Sequence, residues 1–296
     1  MYNKKWTAAI YLIPAIALVT VFIYVAIGLN FYYSLFRWST YSEKVWVGFS
    51  NYVRMFQDEN FWTALKNNLF FAVSSVTCQV GFALVLAAIL EQKWLRKASG
   101  FCRTAFFIPS LISISVVSLM WQLMLNPSMG FVNRFLKMVG LGSLAIDWLG
   151  KPETAIWCVI ASSQWQFVGY TAMLFVVAIQ RIPDDFYEAA QIDGATPVQS
   201  FFYITLPNVK EMVLLNLTTT LIGAFKVFDE VYIMTSGGPG RSSEVLGTLL
   251  YRTGFREDAM GYASTIGVAI FVITFALSIL QIRMFDMGRE VNRKEA

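Results

Sequence analysis

Six long apolar runs, separated by shorter polar stretches, set the plan of this chain. A helix crosses roughly 30 Å of hydrocarbon with about 20 residues. The runs at 8–31, 69–90, 105–125, 155–180, 212–234 and 262–285 all reach that length. The pattern predicts an all-α fold, a polytopic integral membrane protein with six transmembrane helices, and a single membrane domain over 1–296. No polar stretch is large enough to form a soluble domain of its own. Pro14 and Pro109 fall inside two of the runs. Spanning helices tolerate this where neighbours satisfy the freed carbonyls. The first run follows Lys4 and Lys5 and contains Ala15-Ile16-Ala17, which resembles a cleavable leader. It continues to about Ile27, past the roughly 7–15 apolar residues of such a leader, so an uncleaved span is expected.

Between the fourth and fifth runs lies a polar island, Glu188-Ala189-Ala190-Gln191-Ile192-Asp193-Gly194-Ala195, closed by Leu206-Pro207. Pro183-Asp184-Asp185 opens a helix, because carboxylates in a first turn favour the positive end of the dipole. Phe186, Ala189 and Ala190 share one face at i, i+3 and i+4. Gly194 suits the residue just past a helix end, where positive φ is needed. Thr196 as N-cap, Pro197 in the first turn and Gln199 three residues on form a capping box. Val198, Phe201 and Phe202 give the second helix an apolar face, and Pro207 is expected to end it. The island at 183–207 thus reads as a helix–glycine–helix elbow. A surface-lying amphipathic connector fits the same pattern, but such helices usually carry Lys and Arg. This one carries Asp184, Asp185, Glu188 and Asp193, which favours a protein neighbour over anionic lipid.

Composition sharpens the picture. Hydrophobic residues make up 56% and charged residues only 14%, against roughly 25% charged in soluble domains, and the mean hydropathy is +0.55. The chain has no histidine, which removes histidine acid–base catalysis, Ser-His triads and histidine metal sites. Cys78, Cys102 and Cys158 lack metal-ligand spacing and read as small apolar side chains. No cofactor, metal or nucleic acid is implied. The net charge of +4 is unremarkable for a membrane protein, and the Lys and Arg residues of the loops divide nearly evenly between the two sides of the bilayer. One set, however, is packed into short segments at helix ends: Lys4, Lys5, Lys93, Arg96, Lys97, Arg103, Arg181, Lys210, Arg283, Arg289, Arg293 and Lys294. The positive-inside rule then places both termini and the elbow in the cytoplasm. The opposite loops are rich in aromatics, with Trp46, Phe49, Tyr52, Phe56, Phe61 and Trp62 in the first. These fit either an interfacial belt or a docking face for an external partner.

In the fourth run, Ser163, Gln166, Phe167 and Tyr170 fall at i, i+3, i+4 and i+7. Polar side chains inside a membrane avoid lipid. They either hydrogen-bond between helices or meet a polar substrate, whose hydroxyls need polar partners and whose C–H faces stack on rings. Near the end of the fifth run, Lys226 and Glu230 lie at i, i+4 and read as a neutralising pair beside Asp229.

Glu188-Ala189-Ala190 through Asp193-Gly194, then Ile204-Thr205-Leu206-Pro207, resembles the EAA loop of membrane subunits of bacterial binding-protein-dependent ABC importers. Gln180-Arg181-Ile182-Pro183, Thr235-Ser236-Gly237-Gly238-Pro239-Gly240, Asp147-Trp148-Leu149 and Gly48-Phe49-Ser50-Asn51-Tyr52 resemble its carbohydrate branch, the maltose and glycerol-phosphate types. The likeness covers about residues 10–286. Glu211 stands where the family often has a further proline. The resemblance implies a type I ABC importer permease fold in the bacterial plasma (inner) membrane, with no chemistry of its own. It implies three protein partners: a second homologous permease, a cytoplasmic ABC ATPase homodimer and an external solute-binding protein. Glu188, Ala189, Ala190, Asp193 and Gly194 would contact the ATPase, a separate chain because no G-x-x-x-x-G-K-[ST] occurs here. Gly237 to Ser242 lacks the lysine of a phosphate loop and reads as a turn. By position, Ser163, Gln166, Phe167 and Tyr170, with Gly223, Ala224 and Val227 on the fifth helix, would line a sugar site. The rival is an ion-coupled secondary transporter using Asp229 or Glu230, although no internal repeat supports it.

Overall fold

The computed structural model describes the backbone of residues 4–295 and the side chains of residues 11–283 other than Lys93, Arg96 and Lys97. Much of the charge pattern behind the expected orientation (Lys4, Lys5, Lys93, Arg96, Lys97, Arg289, Arg293 and Lys294) lies outside the described side chains. Among the described residues, four helices are long and apolar enough to cross a membrane: Tyr11–Ser34, Glu59–Leu90, Lys210–Met234 and Met260–Arg283. Two bent pairs, Ala98–Leu111 with Ile114–Met124 and Pro152–Ile179 with Asp184–Ile192, turn by 97° and 77°. Counting each pair as one crossing gives the six expected. Among the described residues the strands are one antiparallel ribbon, in which Phe36 pairs with Trp46 and Arg37 with Val45.

Two compact units divide the chain. The first holds residues up to Trp62 and Leu249–Val272. Its ties are polar: the Asn51 amide donates to the carbonyls of Ser34 (2.8 Å) and Phe36 (2.9 Å), and the Tyr262 hydroxyl donates to Asp58 (2.7 Å). A Cβ at Gly261 would stand 1.9 Å from the Phe36 carbonyl oxygen, so only glycine lets these backbones meet.

The second unit holds Thr63–Thr248 and Ile273 onward. Its core packs Ala83, Leu84, Ala87 and Leu90 against Ala172, Phe175, Val176 and Ile179, and Ile182 and Val209 from the elbow region join it. Buried amides cross-link its helices. The Asn68 amide donates to the Ala224 carbonyl (2.7 Å) and its oxygen accepts from the Leu246 N–H (2.8 Å). Asn67 donates to the carbonyls of Ser242 and Glu244, both at 2.8 Å. The turn expected at Gly237 to Ser242 is held this way, with Gly237 at φ +81° and Gly240 at φ +57°.

The third expected span, 105–125, is not one rod. Pro109 sits in a tightened turn, Ile108–Leu111, where it removes a backbone donor. Ile112 and Ser113 are then extended, with ψ 140° and 136°. The fifth helix is likewise interrupted after Phe225 and resumes at Asp229. Lys226 and Glu230 therefore do not share a helix face as the i, i+4 reading required. Lys226 is exposed and Glu230 is buried, and Glu230 accepts from the Ser163 hydroxyl at 3.2 Å.

Candidate functional site

The elbow is built from local signals. Asp184–Ile192 is helical, with Asp184 and Asp185 in its first turn. Gly194 takes φ +77°. Its N–H donates to the Gln191 carbonyl (3.1 Å) and the Ala195 N–H to that of Ala190 (2.8 Å), the paired closure of a Schellman motif. The next helix starts on the expected capping box: the Gln199 N–H donates to the Thr196 hydroxyl (3.3 Å) and the Thr196 N–H to the Gln199 side chain (2.8 Å). Pro207 does not end this helix. The turn before it widens over Phe201–Thr205, which makes room for the ring that would otherwise strike the carbonyl one turn back. The break falls instead at Val209, directly ahead of Lys210–Phe225.

Anchoring and presentation fall on different residues. Ile182, Tyr187, Phe201 and Ile204 pack on the core, and the Tyr187 hydroxyl lies 2.9 Å from that of Thr205, joining the two halves. Burial pushes the Tyr187 hydroxyl above its ordinary pKa. Exposed on the elbow are Phe186, Glu188, Ala189, Ile192, Asp193, Gly194 and Val198, while Ala190 is half-buried. Asp184, Tyr187, Glu188 and Gln191 line a groove of about 750 Å³, across from Glu91, Gln92, Ser99 and Arg103. Glu91 and Arg103 form an ion pair there. The five expected contact residues thus split: Glu188 faces the groove, whereas Ala189, Asp193 and Gly194 form an open surface. Tyr187 was missed in the sequence because an aromatic between carboxylates reads as filler there. Its signal was the helical spacing to Asp184 and Gln191. Tyr187→Phe is expected to cost about 0.5–1.5 kcal/mol for one lost hydrogen bond. Hydrogen exchange of the amides at 195–205 should then speed up several-fold, and unchanged exchange would show that the bond does not brace the elbow.

The polar stripe on the fourth helix is divided as well. Gln166 is 2% exposed and donates to the Ile112 carbonyl at 2.8 Å, at the break in the third span. Ser163 is buried against Glu230. Phe167 is half-buried. Tyr170 is 46% exposed and stacks on Phe107, with centroids 6.5 Å apart. A Cβ at Gly169 would stand 1.7 Å from the Phe106 carbonyl oxygen, so glycine sets this approach. On the fifth helix Gly223 is exposed with open space around it and Ala224 is buried, as is Val227 in the break that follows. Tyr170 and Gly223 are exposed, whereas Ser163 and Gln166 are engaged in joining helices.

Residues 79–286 match the family of binding-protein-dependent transport system inner membrane components. The chain belongs to that family. Similarity along the whole length agrees: it is 49% identical over 289 residues to the probable ABC transporter permease protein YurN of Bacillus subtilis (strain 168), covering 97% of this chain and 99% of that one. It is 34% identical to the lactose transport system permease protein LacF of Rhizobium radiobacter, over 92% and 91% of the two chains. Among solved structures it superimposes with TM-score 0.84 and 26% identity on a chain of a bacterial ABC transporter involved in the import of the acidic polysaccharide alginate, covering 95% and 96%. This permease is therefore a multi-pass membrane component of an ABC transporter and not an enzyme. Membership also displaces the ion-coupled reading of Asp229 and Glu230.

Proposed function

We propose that this permease forms half of the translocation pathway of a sugar importer in the bacterial plasma (inner) membrane. It pairs with a second, homologous permease, docks a cytoplasmic ABC ATPase homodimer on its elbow and receives sugar from an external solute-binding protein. The observation that carries this is the elbow itself. Each of its helices is capped by its own residues, it is anchored by Tyr187 and Ile204, and it leaves Phe186, Ala189, Asp193 and Gly194 open. A rigid handle of this kind transmits displacement, so closure of the ATPase shifts the permease between two packed states. Residues 1–296 act as one permease domain. Sugar as cargo is supported by relatives named for lactose and alginate and by the exposed ring of Tyr170. Tyr170, Phe167 and Gly223 touch the sugar, and Ser163, Gln166, Ala224 and Val227 shape the wall behind them.

Reconstitution tests the whole reading. Vesicles holding this permease, its partner permease and the ATPase should accumulate sugar only with ATP and sugar-loaded binding protein. Uptake driven by a proton or sodium gradient without ATP would overturn it. The orientation, with both termini cytoplasmic, has its own check. In a background with Cys78, Cys102 and Cys158 replaced, Val198→Cys is exposed on the elbow and should resist an impermeant thiol reagent in intact cells but react after lysis. Labelling of intact cells would invert the topology and remove the coupling role.

A further inference from the structure

The short helix Phe131–Met138 is amphipathic the wrong way round. A helix on a protein normally buries its apolar stripe. Here the fully buried side chain is Asn133, which accepts from the Trp148 indole (2.7 Å) and donates to the carbonyls of Ile146 (2.8 Å) and Pro127 (3.2 Å). Phe131, Phe135 and Met138 point away from the chain, 62%, 46% and 77% exposed. The two rings stack on each other, with centroids 6.0 Å apart. Leu141 and Leu144 extend the exposed apolar surface. Arg134 and Lys137 are exposed beside it, and the helix carries no acid.

We infer that this face is a membrane-interface anchor, its apolar stripe seated among acyl chains and Arg134 and Lys137 on lipid phosphates. Position supports lipid as the occupant. The membrane helix Ile114–Met124 ends just before it, and residues 125–130 reach at most roughly 20 Å even if extended. They are not extended: the Gly130 N–H donates to the Asn126 carbonyl (2.9 Å), and a Cβ at Gly130 would stand 2.4 Å from the carbonyl oxygens of Asn126 and Met124. This tight turn holds the helix at the level where the span leaves the hydrocarbon. Trp148, bonded to Asn133, also accepts from the Thr154 hydroxyl (2.6 Å) in the first turns of Pro152–Ile179. The helix is therefore pinned to the ends of two membrane helices. Aromatic and aliphatic residues on one side with Lys and Arg beside them are the make-up of an interfacial helix, and the long basic side chains reach to the headgroups.

The test uses the assembled transporter in phospholipid vesicles, cysteine-free apart from one spin-labelled cysteine at 131, 135, 137 or 138. Labels at 131, 135 and 138 should be relaxed several-fold more by oxygen, which concentrates in lipid, than by a water-soluble nickel chelate. The label at 137 should show the reverse. A phospholipid carrying a diazirine on its acyl chain should also mark residues 129–144 of the unsubstituted chain. Nickel-favoured relaxation at 131 and 135 would place the face in water. Labels reached by neither reagent, with no lipid adduct, would mean that the solute-binding protein or the second permease covers it. Either result overturns the inference.

Discussion

Gly194→Val should abolish ATP-driven uptake and strip the ATPase from the purified complex, while Gly194→Asn should leave both largely intact. The difference lies in the backbone. Gly194 sits at φ +77° with nothing within 4 Å of where a Cβ would stand, so added bulk meets no obstacle. A side chain there does carry the left-handed penalty, roughly 1–2 kcal/mol for an ordinary residue. That penalty is least for asparagine and greatest for a β-branched residue. Valine would draw the chain back toward negative φ and break the closing bonds of Gly194 to Gln191 and Ala195 to Ala190. The second helix would then leave along a different direction, and the surface around Ala189 and Asp193 would no longer exist as one piece. Co-purification of the ATPase at wild-type yield with the valine variant, together with full uptake, would remove the elbow from the coupling role. Equal loss with asparagine would mean that the side chain, rather than the backbone, is what the position excludes.

The elbow was legible in the sequence because its determinants are local. Thr196, Pro197 and Gln199 specify a helix start within four residues, and Gly194 specifies a stop by itself. The apolar runs likewise announced the spans. What the runs hid was where they break. Pro109 inside a span signals a weakness, but a membrane helix absorbs a proline when something else takes the freed carbonyl. Here the span breaks just after the proline instead, and the carbonyl left open at that break, that of Ile112, is taken by Gln166 on another helix. Lys226 and Glu230 misled for a similar reason: their spacing implies a pair only if the helix continues, and whether it continues is decided by packing. Pro207 shows the opposite error, since a widened turn kept the helix going where the proline alone predicted its end. Periodicity also put Ser163, Gln166, Phe167 and Tyr170 on one stripe without telling which of them face neighbours and which face open space.

That division makes the largest contrast within the candidate sugar site. Gln166→Leu should damage the protein rather than only its transport. The substitution keeps the apolar bulk but leaves the Ile112 carbonyl, at the corner of the bent third span, without its donor. An unmet buried polar group costs about 1–3 kcal/mol, and this one also fixes the angle between two half-helices. The complex should therefore be recovered in lower yield, with a melting temperature several degrees lower. Gln166→Glu should do no better, because a carboxylate has no N–H to give. Tyr170→Ala should behave differently. Its ring is half in the open and rests on Phe107, so the complex should assemble and melt almost normally. Loss of a stacking face and a hydroxyl, each about 0.5–1.5 kcal/mol, should cut uptake roughly ten-fold or more at limiting sugar. ATP hydrolysis stimulated by the binding protein should persist in part, because the elbow is untouched. A Gln166→Leu transporter that melts like the wild type but fails to move sugar would put Gln166 on the substrate. A Tyr170→Ala transporter at full rate across sugar concentrations would move the sugar contacts to other residues or to the partner permease.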